Sequence, residues 1–112
     1  PIENPGRIKV ANTMPVRTID IHYSDIDING HVNSIKYIEH ILDLFSLEWY
    51  KENRIRRFEM AYVAESYFGD TLSFFREEVA EGVYDIEVRK NVGGLTPEGD
   101  VVCRSKVVFN NK

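Results

Sequence analysis

One helical stripe of apolar residues, set in a chain that otherwise alternates with a period of two, most constrains how this sequence can fold. From Asn33 to about Lys51, the residues Ile35, Ile38, Leu42, Phe45 and Trp49 recur at helical spacing, and Ile41 and Leu44 widen the stripe. Lys36, Glu39, Asp43 and Glu48 lie mostly off it. The spacing predicts one helix of about five turns with a broad apolar face. Asn33 is its expected N-cap, because an amide oxygen there accepts from a first-turn N–H.

The flanks follow the other period. From Val16 to Tyr23, Ile19, Ile21 and Tyr23 face one way and Thr18, Asp20 and His22 the other, which predicts a half-buried strand. After Asn53 the chain reads as β to its end. Ile55–Ser66 is the first run, with Phe58, Met60, Tyr62 and Ala64 on one face. Tyr67-Phe68-Gly69-Asp70 breaks it, and Thr71–Val79 follows. Val83–Lys90 sets Tyr84, Ile86 and Val88 against Asp85, Glu87 and Arg89. The Gly- and Pro-bearing loop 91–99 leads into Asp100–Phe109, with Val101, Cys103, Val107 and Phe109 on one face. The expected fold class is α+β: a central helix wrapped by a curled antiparallel sheet of about five strands. Such a sheet leaves exposed edges that call for pairing.

At 112 residues the chain fits one domain, expected over 16–112, with residues 1–15 (Pro1, Pro5, Gly6, Pro15) as a linker or entry arm. The net charge of −4 offers no global attraction to nucleic acid or to an anionic membrane. No apolar run approaches the ~20 residues that span a bilayer. The lone Cys103 excludes an internal disulfide and fits a reducing cytoplasm, the expected location. It falls on the apolar face of the last strand, where core packing is the expected role. His22 and His40 lack ligand-like spacing to other metal-binding types, so neither a metal nor a cofactor is expected.

Polar chemistry concentrates between the first strand and the helix. Asp25-Ile26-Asp27-Ile28-Asn29-Gly30-His31-Val32-Asn33 holds two carboxylates, two carboxamides, a glycine and a histidine. In an extended segment Asp27, Asn29 and His31 would share one face. A carboxylate can accept a proton from water or attack a carbonyl. An amide or a helix N–H can stabilise an oxyanion, and a histidine exchanges protons near neutral pH. Together these are parts for acyl transfer to water. The same residues also serve turns and caps, and on residue type alone that is the commoner reading. Asp25 suits a structural role and Asn33 a cap.

The run Asp25 to Tyr37 resembles the D-x-D-x-N-x-H-V-N-N-x-x-Y signature of acyl-acyl-carrier-protein (acyl-ACP) thioesterases, plant and bacterial. More distantly it resembles the hydroxybenzoyl-type acyl-CoA thioesterases. The likeness continues through Tyr37–Asp43 and returns in Phe58–Leu72, covering about half the chain closely. It implies the hotdog fold. It also implies a catalytic set of Asp27, Asn29 and His31, joined by Glu65 from the strand after the helix. Asp27 and Glu65 would handle the water or the acyl carbonyl, and Asn29 and His31 would orient the reacting groups. Plant members carry a cysteine after that glutamate; here it is Ser66, so a thiol nucleophile is unavailable at that site.

The family's enzymes carry two hotdog modules, and this motif belongs to the second. The resemblance therefore implies the C-terminal half of a two-module enzyme. Its expected partners are an acyl carrier protein and either an N-terminal hotdog module or a second copy. Carrier proteins are acidic, so Arg54-Ile55-Arg56-Arg57 is a candidate docking cluster, although a solvated loop end is the commoner role for such a run. Three alternatives stand beside this reading. One is an acyl-CoA thioesterase. Another is a hotdog hydratase or dehydratase, whose D-x-N-x-x-H spacing is one residue longer. The last is a non-catalytic dimerisation or acyl-binding module.

Overall fold

The computed structural model describes residues 14–95 and 97–112; the expected arm over 1–15 lies almost wholly outside these, as does Thr96 in the loop 91–99. The chain runs β1 (Arg17–Asp20), a 3₁₀ turn (Tyr23–Asp25), α1 (Ser34–Leu42), α2 (Leu47–Glu52), β2 (Asn53–Tyr62), β3 (Thr71–Ala80), β4 (Val83–Lys90) and β5 (Asp100–Asn111). The five strands form one antiparallel sheet in the order β1-β3-β4-β5-β2. Short β1 and long β2 are thus the edges.

The inner face of the sheet carries Leu72, Phe74, Ile86, Val88, Cys103, Val107 and Phe109, buried against Tyr37, Ile41 and Phe45 of the helical layer. The alternation read from the sequence therefore assigns the core face correctly in β4 and, apart from half-buried Val101, in β5. A bulge interrupts it in β5: Val88 pairs with Cys103 but Arg89 with Val101, so neighbouring Val102 and Cys103 are both buried.

The single helix expected over Asn33–Lys51 is two helices. Asn33 caps the first, its side chain accepting from the Ile35 N–H at 3.0 Å. The chain then leaves α-geometry at Asp43, with the N–H groups of Leu44 and Phe45 reaching back only three residues. Carbonyls at the break also take side-chain donors: the Tyr50 hydroxyl on Leu42 O at 2.6 Å, and the Arg76 guanidinium on Leu44 O. Ser46 caps the second helix through the Trp49 N–H. The bend turns Phe45 inward, edge-on to Tyr84 and Phe109 with ring centroids 5.0 and 4.8 Å away.

The first strand is also shorter than its alternation suggests. The chain leaves the sheet after Asp20, buries Ile21 and turns, which leaves Tyr23 exposed. The sheet's outer face is not uniformly wet either. Glu87 is 0% exposed, with Arg89 on one carboxylate oxygen and Arg104 on the other at 2.9 Å. Lys106 meets Asp85 at 2.9 Å beside it. Opposite charges directly across neighbouring strands allow these groups to be buried.

Candidate active site

The site forms where the loop between β1 and α1 meets the chain leaving β2. Isolated bridging between Ile26 and Val32 closes residues 27–31 into a tight loop. Inside it, Asp27 N–H donates to His31 O at 2.8 Å and Gly30 N–H to Asp27 O at 3.0 Å. Gly30 takes φ +83°, a left-handed conformation that only glycine adopts cheaply. The Asp27 carboxylate completes the loop: its Oδ1 accepts from the N–H of Asn29 at 2.9 Å and of His31 at 3.3 Å.

Beneath this loop, Asp25 is buried. Its Oδ2 accepts from the His22 N–H at 2.8 Å, and its Oδ1 lies 3.3 Å from His40 Nε2 on α1. Burial alone would raise this carboxyl. Hydrogen bonds from His22 and His40, with the nearby charges of His40 and Lys36, bring it to a net value below that of an ordinary aspartate. Asp25 is structural, as its sequence position suggests. His40, mostly buried, ties the loop to α1.

The other wall is the segment after β2. The strand ends at Tyr62, earlier than the expected Ser66, and the N–H groups of Val63 and Ala64 both go to Val102 O. The next residue, Glu65, reaches across the gap. Its Oε1 lies 3.2 Å from His31 Nδ1, its Oε2 accepts from the Tyr67 hydroxyl at 3.4 Å, and its carbonyl accepts from Lys90 Nζ at 2.8 Å. His31 also meets the Tyr67 ring edge-on at 5.2 Å. Ser66 is buried under the site, hydrogen-bonded to the Tyr37 hydroxyl. It is a floor residue rather than an exposed nucleophile.

A cavity of ≈ 340 Å³ opens between these walls, with Asp27, His31, Tyr37, Tyr62 and Glu65 in its lining. The structure therefore gathers Asp27, His31 and Glu65. Asn29 sits at the tip of the loop, and its side chain is not in the lining. Tyr37, Ser66 and Lys90 were not read as site residues. Tyr37 closes the D-x-D-x-N signature, which was the available signal. Burial, partly offset by the Ser66 hydrogen bond, pushes its hydroxyl up to about 12. Cys103 lies in the core, its thiol pushed up to about 12 by burial. Among the described residues, no three His, Cys, Asp or Glu side chains cluster to hold a metal, and no helix is long and apolar enough to cross a membrane.

An antiparallel sheet of five strands curled over its helical layer defines a hotdog-fold domain. The family model of the acyl-ACP thioesterase C-terminal domain matches residues 8–111, and the chain belongs to that family. Among solved structures, it is 64% identical to an acyl-ACP thioesterase from Bacteroides thetaiotaomicron, with a TM-score of 0.86, covering 98% of this chain and 43% of that one. The 12:0-ACP thioesterase from Umbellularia californica shares the fold at 18% identity and a TM-score of 0.78, covering 94% and 39%. A 4-hydroxybenzoyl-CoA thioesterase variant, complexed with 4-hydroxybenzoyl-CoA, shares it at 16% identity and a TM-score of 0.66, covering 85% and 81%. No curated protein sequence matches. The chain thus spans less than half the length of the first two structures.

Proposed function

We propose that this chain is the second of two hotdog modules in a thioester hydrolase that releases fatty acid from acyl carrier protein. One observation carries the chemistry: Asp27, His31 and Glu65 line one cavity, with Glu65 Oε1 3.2 Å from His31 Nδ1. Family membership supports the substrate class. The cavity's ≈ 340 Å³ lies at the small end of ligand pockets, about 300–1,000 Å³. Its rim residues Tyr62 and Val63 are exposed at the β2 edge. Both features suit a pocket completed by a second module or a second copy paired along that edge.

In this reading Glu65 accepts from Nδ1–H of His31, which leaves Nε2 as the proton acceptor. Water attacks the thioester carbonyl carbon and loses a proton to Nε2. The tetrahedral oxyanion collapses, the C–S bond breaks, and the leaving thiolate takes the proton back. Asp27 holds the water through Oδ2, since the loop N–H groups occupy Oδ1. Those two donors draw charge from the carboxylate and favour this role over direct attack. The role of Asn29 in orienting the carbonyl rests on the family resemblance, since its side chain lies outside the cavity lining.

The test is thiol release from acyl-ACP by the two-module protein and its Asp27→Ala and Glu65→Gln variants. Asp27 positions the water and Glu65 orients His31, and misplacing a reacting group by about 1 Å costs on the order of 10²-fold, so losses of at least that size are expected. Turnover unchanged in either variant removes that residue from the chemistry. Consumption of an enoyl thioester without thiol release would instead point to the hydratase alternative.

A further inference from the structure

Backbone bonds to the sheet end just before Glu65, where the Val63 and Ala64 N–H groups both go to Val102 O. The β2–β5 ladder stops at Tyr62 paired with Cys103, three residues short of it. Its segment is held instead by contacts from three sides. The Val32 N–H donates to Ser66 O at 2.9 Å, tying the segment to the residue after His31. Lys90 Nζ grips Glu65 O at 2.8 Å from the end of β4. From below, the Tyr37 hydroxyl on α1 and the Ser66 hydroxyl bond each other. Both are deeply buried, Tyr37 at 3% exposure and Ser66 at 0%. A phenylalanine and an alanine would fill the same space without burying two polar groups. A half-satisfied pair is destabilising, so burying one is a liability unless it holds something in place.

Resting on the reading of His31 and Glu65 given above, we infer that the Tyr37–Ser66 hydroxyl pair sets the angle at which Glu65 meets His31. Both hydroxyls are positioning groups for the hydrolysis. Tyr37 spans from the helix to the cavity floor, and Ser66 is covalently next to Glu65. A slip of the Ser66 side chain turns the peptide that carries Glu65 and moves Oε1 off Nδ1. Misplacement by about 1 Å costs on the order of 10²-fold in rate.

The experiment compares Tyr37→Phe, Ser66→Ala and the double variant in the two-module protein, each with and without Glu65→Gln. Each single variant orphans one buried hydroxyl and lowers Tm. The double variant removes both and recovers Tm relative to the singles. The inference expects kcat to fall roughly 10- to 100-fold in all three, with KM changed by less than about twofold. Adding Glu65→Gln to the double variant should then cost less than it does in the parent. In the isolated domain, the ¹⁵N shift of His31 Nδ1 in the double variant should move toward its value in Glu65→Gln. A double variant that keeps the parent's kcat and His31 shift, while Glu65→Gln alone abolishes turnover, overturns this inference and leaves the proposed function standing. Full activity in Glu65→Gln overturns both.

Discussion

Replacing Asp25 with alanine tests whether the loop over 27–31 is anchored from below. Asp25 holds two donors, the His22 N–H at 2.8 Å and His40 Nε2 at 3.3 Å. Its own carbonyl, untouched by the change, accepts from Asn33 N–H. The Asp25→Ala variant leaves a part-buried backbone donor and a part-buried imidazole without an acceptor. Stranding buried polar groups costs about 1–3 kcal/mol. For a domain of this size that corresponds to a fall in Tm of roughly 10 °C. The pH dependence sharpens the test. The folded carboxyl lies below its ordinary value of 3.8. Between the two values the unfolded chain holds more protons than the native one, so stability rises with pH there. The contribution is complete above 3.8 and is lost as pH falls through the lower folded value. Thermal melts by circular dichroism at about pH 7, 5 and 3 should show a gap between parent and variant at the first two and a narrower one at the third. A gap under about 3 °C at neutral pH, or one equally wide at pH 3, refutes the anchor.

Three further outcomes follow from burial and backbone geometry. Cys103, buried with its thiol pushed up to about 12, should resist iodoacetamide at pH 8 in the native protein and react fully in denaturant, read by mass spectrometry. Ile41→Ala, at a position with 0% exposure, should lower stability by about 2–5 kcal/mol in urea titrations. Gly30→Ala meets no atom within 4 Å but forces φ +83° on a residue with a Cβ. It should cost about 1–2 kcal/mol and reduce thiol release by more than stability alone accounts for, because the loop carries Asp27 and His31.

The layers of the fold were legible because both kinds of element advertise their faces by period. Tyr84, Ile86 and Val88 fall on the core side of β4 as their alternation requires. The break in the helix was not legible from period, because both pieces lie on the same sheet face. Phe45 and Trp49 keep helical spacing across a bend made by Asp43 and Ser46. Ser46 was the available signal, as an N-cap inside an apparent helix. Alternation also tells which face a residue takes but not whether that face is dry. Glu87 alternates like a solvent-facing residue and is buried because Arg89 and Arg104 close over it. Pairing across strands is a tertiary fact. The contact between His40 and Asp25, 15 residues apart, is another.

The same limit decides how much of the site was readable. Alternate residues share a face only while the backbone is extended, and here it is not. The Ile26–Val32 bridge folds the segment into a loop, so Asp27 and His31 at its two feet reach one cavity while Asn29 rides at the tip. Spacing alone marked the segment, and its shared face held only for an extended backbone that the turn at Gly30 does not allow. Glu65 stands 34 residues beyond His31, past both helices and β2, and no local pattern links them. What brings them together is the backbone bond from Val32 N to Ser66 O, made one residue further on in each segment. A bond between two main chains leaves no mark on side-chain pattern. The contact between His31 and Glu65 therefore depends on an interaction that hydrophobic periodicity cannot encode, and only the resemblance to a known signature pointed to Glu65.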